Sequence, residues 1–248
     1  MTRLGNWWKH SFQAALLAAI GFMLVLLILP ATKPIRDGFN LNMNNLHQIG
    51  LAFHTYHDVH KILPLAAIDD KEGKPLLSWR VALLPYLEEA QLYSQFHLDE
   101  PWDSPHNLTL LARIPHVYKP PTGQLPDDTF GTYYQALVGP CAAFENKIPM
   151  TFKSFPNGTS QTILVIEAGD AVPWTKPEDL QFNPDQPLPN LSGHSRKGVI
   201  YSLFADGSVH ALPNSTDEET LHALITRNGG EKLESDKNGW WHILPKRE

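Results

Sequence analysis

The chain has 248 residues and a formal net charge of -6. That balance, with no basic stripe, gives no electrostatic footprint for nucleic acid. The lone cysteine, Cys141, excludes an intramolecular disulfide and a cysteine-based zinc framework, and Pro (21) outnumbering Gly (16) reads as a globular domain with ordered loops.

The first strong feature is the apolar run "SFQAALLAAIGFMLVLLILPA", Ser11 to Ala31. About 20 apolar residues cross a bilayer as a helix. Trp7 and Trp8 stand where an interfacial aromatic belt would lie, and Arg3, Lys9 and the free amino terminus precede the run. Lys33 and Arg36 follow it, so only the amino terminus tips the charge rule toward an inside start. The expectation is a cytoplasmic N-terminus (1–10), a transmembrane helix (11–31), a linker (32–39) and an extracytoplasmic domain (40–248). The alternative is a cleaved signal peptide, against which "ILPA" offers a poor small-x-small cleavage site.

After the linker, Leu46, Ile49, Phe53 and Tyr56 recur at steps of three and four, which predicts a helix ending before Pro64. "DDKEGKP" (69–75) reads as a polar turn. "SWRVALLPYLEEAQLYSQF" reads as a second helix capped by Ser78, with Pro85 starting or kinking it. "DSPHNLTLLAR" offers a short third helix with Ser104 as cap and Pro105 in its first turn. The period then changes. Segments 131–139, 161–168, 198–205 and 208–212 are strand-like, and Asp206-Gly207 between the last two predicts a two-residue type I′ hairpin turn. A late helix is expected from Ser215, with Glu218 completing a capping box and Gly229 as its stop. The class is α+β, helices first and an antiparallel sheet after.

Several groups invite a chemical reading. "NNLHQIGLAFHTYHDVHKILP" (44–64) holds His54, His57 and His60 at spacings of three. Two histidines on one helix face can bind zinc, but a site needs further ligands, and no H-E-x-x-H is present. The competing reading is a helix end with structural histidines. "HLDEPWDSPHN" (97–107) sets Asp99, Glu100 and Asp103 between His97 and His106, a set that a hydrolase could use. Acids ahead of a helix also complement its dipole without any catalysis. Cys141 has no identifiable catalytic partner and reads as a small apolar residue. "FADGSV" lacks the alternating oxygens of a calcium loop. There is no Walker, Rossmann or G-x-S-x-G motif. Four N-x-[ST] sequons fall at Asn107, Asn157, Asn190 and Asn214.

Taken together, "NNLHQIGLAFHTYHDVHKILP", "SWRVALLPYLEEAQLYSQFHLDEPWDSPHN", "TILVIEAGDAVPWTKPEDL" and "LFADGSV" resemble, in order, the blocks of a large bacterial family of unknown function, numbered 1559 among such domains. The resemblance spans about residues 40 to 212. It implies kinship with type IV pilins and secretion pseudopilins, in which an N-terminal hydrophobic helix carries an antiparallel sheet domain and the stems pack in a filament. It singles out Asn45, Gly50, Tyr56, His57, Trp79, Pro85, Tyr86, Trp102, Asp103, Glu167, Trp174, His194, Asp206 and Gly207, in structural roles. Two features depart from the family pattern. The hydrophobic run lacks the acidic fifth residue of a prepilin signal, and His194 precedes Asp206 by eleven intervening residues rather than nine.

The reading that follows is a membrane-anchored, extracytoplasmic, pseudopilin-like structural or interaction protein without catalytic activity, cofactor or metal. Its partners would be pilin-like or secretion-system proteins. The alternative is an anchored module for a glycan, peptide or metal, with Trp102 and Trp174 as an aromatic platform. A hydrolase using His97, Asp99, Asp103 or His106 comes third.

Overall fold

A helix of 23 residues, α1 (Gly38–His60), opens the folded part of the chain. The computed structural model describes residues 38–120, 125, 130–145, 147–191, 198–236, 239 and 241–244. The expected span Ser11–Ala31 and His194 lie outside these residues. Among the described residues, no helix is long and apolar enough to cross a membrane.

The apolar period of α1 does what its spacing predicts. Leu46, Ile49 and Phe53 are fully buried, and Tyr56 packs at the edge of the same core. The helix stops where Lys61 adopts φ 63° and its N–H bonds the His57 carbonyl at 2.7 Å, three residues before Pro64. A small hairpin follows, β1 (Ala67–Asp69) with β2 (Pro75–Ser78), where only a turn was expected. Asp70 Oδ1 organises the connection by accepting from the Glu72 and Lys74 amides at 3.0 and 2.7 Å.

The expected second helix is broken. Only α2 (Trp79–Ala82) and α3 (Ala90–Tyr93) are α-helical, with a 3₁₀ turn at Leu84–Tyr86 between them. Pro85 has no N–H to continue α2, and Glu88 turns the chain at φ 63°. Ser78 does cap α2, its side chain accepting from the Arg80 amide. The third helix is a 3₁₀ segment, Asn107–Arg113, and Pro105 precedes it rather than lying within it. Ser104 Oγ accepts from the Asn107 amide at 3.1 Å.

The main sheet has five strands: β3 (Gly131–Val138), β4 (Ile163–Pro173), β5 (Leu180–Gln181), β6 (Val199–Phe204) and β7 (Val209–Pro213). Their order is β5-β3-β4-β6-β7. All neighbours are antiparallel except β5, which pairs parallel to β3. The sheet is therefore not wholly antiparallel as expected.

One face of the sheet, with Tyr134, Val165, Tyr201 and Leu203, packs in a common core with α1. The other, with Ile163, Ile166, Ile200 and Phe204, packs with Leu221, Leu224 and Ile225 of α4 (Glu218–Ile225). Asp217, not Ser215, caps α4 by accepting from the Thr220 amide at 2.8 Å, so the Ser215–Glu218 box does not form. The helix also ends at Ile225, short of Gly229. A last hairpin, β8 (Leu233–Ser235) with β9 (Trp241–Ile243), closes the described chain.

Candidate functional site

Helix α1 meets the β6–β7 hairpin at two of its residues, Gly50 and His54. At Gly50 the helix backbone comes so close to the sheet that a Cβ would lie 2.8 Å from Leu203 Cδ1, and the leucine would have to shift to admit it. One turn further along, His54 faces the β6–β7 turn, and a Cβ on Gly207 would lie 3.4 Å from its Nε2. Gly50 and Gly207 thus let helix and hairpin approach each other. The turn itself differs from expectation. The Gly207 amide bonds the Phe204 carbonyl at 2.9 Å, and the Phe204 amide bonds the Ser208 carbonyl at 2.9 Å. Only Gly207 has positive φ, 87°. This is the three-residue connection of a type I turn plus a left-handed residue, not a type I′ pair, and Asp206 stays in ordinary backbone space. Asp206 Oδ1 accepts from the Ser208 amide and hydroxyl at 2.9 and 2.6 Å.

Nearer its start, α1 is tied down by buried polar groups. Asn42 Nδ2 donates to Glu167 Oε1 at 3.1 Å, Tyr134 OH donates to Asn42 Oδ1 at 2.7 Å, and Asn45 Nδ2 reaches Tyr134 OH at 3.3 Å. Glu167 and Tyr134 are cross-strand partners on β4 and β3. Glu167 is 1 % exposed and its Oε2 has no hydrogen-bond partner among the described residues. Burial pushes its carboxyl up to about 7, with the Asn42 hydrogen bond acting against the rise. Sequence reading singled out Asn45 and Glu167 but missed Asn42 and Tyr134, because nothing in the local pattern joins a helix to strands about a hundred positions on.

The three histidines of α1 pack against aromatic rings, and His54 Nε2 is buried without a hydrogen-bond partner among the described residues. His54 and His57 both pack on Phe152, with ring centroids 4.4 Å apart in each case. His60 packs on Tyr56 at 4.2 Å, and its Nε2 lies 2.8 Å from Tyr86 OH. Burial raises the phenol pKa of both Tyr56 and Tyr86. Among the described residues no group of three or more His, Cys, Asp or Glu side chains is placed to hold a metal ion.

The residues of the second block divide between the core and the surface. Trp79 is fully buried beside Phe53, centroids 5.2 Å apart. Trp174 is fully buried, its Nε1 donating to the Leu111 carbonyl at 2.9 Å, so it cannot form the aromatic platform with Trp102. Trp102 is half-buried beneath Lys176, whose Nζ lies 5.7 Å from its ring. His97 and His106 stack at 3.6 Å, while Asp99 and Asp103 are exposed. His97 Nδ1 lies 3.0 Å from Glu100 Oε1, and His106 Nε2 lies 2.8 Å from the Gln95 carbonyl. The hub of that loop is Asn107, fully buried, whose Nδ2 donates to the carbonyls of His97, Glu100 and Pro101. That burial leaves Asn107 unavailable as a glycosylation acceptor. Cys141, at φ 64°, lines a surface cleft of about 360 Å³ together with His222, Glu219 and Glu231.

A buried ion pair went unread in the sequence. Arg80 is 0 % exposed and donates to Asp179 Oδ1 (2.8 Å), Ser78 Oγ (2.7 Å) and the Tyr134 carbonyl (2.9 Å). Asp179 Oδ1 also accepts from Trp79 Nε1 at 3.1 Å and from the Ala136 amide at 2.7 Å. Burial pushes the Asp179 pKa upward, and the Arg80 guanidinium, the Ala136 amide and the Trp79 indole act against it. Asp179 forms part of the wall of a second cleft, about 170 Å³, between the β1–β2 hairpin and β5.

Residues 42–142 match the model of the SBP_bac_10 family, a protein of unknown function (DUF1559). The DUF1559 match covers both helical blocks, with Asn45, Gly50, Tyr56, His57, Trp79, Pro85, Tyr86, Trp102 and Asp103, and reaches past β3. Glu167, Trp174, Asp206 and Gly207 lie beyond it. No curated protein and no solved structure matches the chain.

Proposed function

We propose that the chain is a membrane-anchored, extracytoplasmic, pseudopilin-like structural or interaction protein that performs no catalysis. The observation that supports this reading is where the motif residues go. Gly50, Asn45, Glu167 and Gly207 fasten α1 onto the sheet, and Trp79 and Trp174 fill its core. Polar residues spent on joining a helix to a sheet are the mark of a scaffold, whereas a catalytic site gathers them around a reachable atom. The apolar run Ser11–Ala31 precedes α1 by only six residues, 32–37, which is the sequence order of a stem that carries a sheet domain. The test is purification of the intact protein from its native membrane, followed by identification of what accompanies it. Stoichiometric pilin-like or secretion-system subunits are the expected result. Recovery of the full-length chain from the soluble fraction, free of such subunits, would refute the reading.

The second reading, a ligand-binding module, keeps one specific observation in its favour: the cleft beside Asp179.

A further inference from the structure

We propose that the cleft between the β1–β2 hairpin and β5 binds the ammonium group of a small aliphatic primary amine, with Asp179 Oδ2 as its innermost acceptor. The assignment is independent of the scaffold reading, since an anchored structural protein and a soluble one could equally carry it.

The cleft has a built polar floor. The Asp179 side chain is only 3 % exposed. Its Oδ1 is held by Arg80, Trp79 and Ala136, while Oδ2 has no partner among the described residues and is not sealed from the surface. A carboxylate fixed through one oxygen and open through the other needs no rearrangement to receive a ligand, which lowers the cost of binding.

The other polar groups in the wall decide which ligand fits. Lys147 Nζ already bonds the Gly73 carbonyl and lies 3.4 Å from Asp69 Oδ2. Gln181 Nε2 donates to the Asp179 carbonyl at 3.3 Å. Lys147 and Gln181 thus each keep one N–H beyond the partners named. Against them stand three acceptors with no partner among the described residues: the second oxygen of Asp69, Gln181 Oε1 and Asp179 Oδ2. An ammonium has three donors and no acceptor, which is the complementary set. Asp69 is offset by Lys147 and Asp179 by Arg80, so the choice of ligand rests on the free acceptors and not on a net charge. Ala66, Ala67, Pro75 and Val138 give the carbon chain apolar contacts. A volume of about 170 Å³ takes roughly six water-sized groups, so the ligand is small.

The same ammonium chemistry is offered by a free amine and by a lysine side chain of another protein. The test uses the full-length chain at pH 7 and low salt, with saturation-transfer NMR of butylammonium, of N-acetyl-lysine-amide and of tetramethylammonium. Butylammonium should bind with a dissociation constant on the order of millimolar, as suits a ligand of this size. Tetramethylammonium, which has no N–H, should bind at least about tenfold more weakly. Binding of the capped lysine as well would assign the site to lysine side chains, and its exclusion would assign it to free amines. Asp69→Asn should weaken butylammonium several-fold. Lys147→Ala should tighten it several-fold, because it releases Asp69. Gln181→Leu should weaken it too, and gives a second variant with the ion pairs intact. Asp179 itself is left alone, since its loss strands Arg80. Equal binding of tetramethylammonium and butylammonium, no binding of either amine, or weaker binding in Lys147→Ala would overturn the proposal.

Discussion

At the scale of single residues, two buried charges set the terms. Among the described residues Glu167 keeps one oxygen unpartnered under α1, and its carboxyl is raised from 4.5 to about 7. The folded state therefore holds its proton at pH values where the unfolded chain has lost it. Stability falls as pH rises from about 4.5 to about 7 and stays lower above that window, by roughly 3 kcal/mol for a shift of this size. Glu167→Gln resembles the protonated form. It should match wild type near pH 4.5, exceed it by up to about 3 kcal/mol at pH 8, and flatten the profile between. Urea denaturation at several pH values reads this directly, and two superimposable pH profiles would discount the raised carboxyl. Arg80 presents the opposite case, a buried cation with every strong partner in place. Arg80→Met leaves Asp179 without its guanidinium and should cost about 3–5 kcal/mol. Adding Asp179→Leu should recover part of that loss, and a double-mutant cycle measures the coupling. Neither residue announces its burial in the sequence. Their partners stand 99 and 125 positions away, beyond any local period.

At the scale of elements, the legible parts are those whose pattern is local. The apolar stripe of α1 and the strand-like runs of β3, β6 and β7 give their own positions closely, whereas β4 runs five residues beyond its expected end at 168. The segment Ser78–Phe96 misleads because Leu83, Leu87 and Ala90 keep a helical period across a chain that Pro85 and Glu88 break. The caps of α4 compete within three residues, and Asp217 prevails over Ser215 because its carboxylate takes both the Thr220 amide and hydroxyl. The hairpin teaches the same lesson at Gly207. "DG" marks the turn correctly, yet the two-residue geometry gives way to a three-residue one in which only the glycine is left-handed. Gly207→Val should therefore cost about 1–3 kcal/mol through backbone strain, with the added bulk pressed toward His54. Asp206→Ala, whose backbone is ordinary, should cost less. Thermal melts of the two variants beside wild type check the order, and an unchanged curve for Gly207→Val would reject the strained turn.

At the scale of the whole molecule, residues 38–248 form one unit in which α1 covers one face of the sheet and α4 the other. That layering follows from the α+β order of the sequence, while β5, β8 and β9 are too short to leave a period that could be read. The start of α1 is fastened to the sheet, where Asn42 bonds Glu167 and Asn45 bonds Tyr134. A stem that transmits force or position needs such a fastening, and a freely tethered domain does not. If the run Ser11–Ala31 is retained as an anchor, the mature protein should begin upstream of it and sediment with membranes, resisting carbonate extraction but not detergent. If a signal peptidase acts at "ILPA", the mature chain should begin near Thr32 and appear in the soluble fraction. Amino-terminal sequencing of protein from its native host distinguishes the two. A Thr32 start would leave the domain and its cleft intact but remove the stem on which the scaffold reading depends.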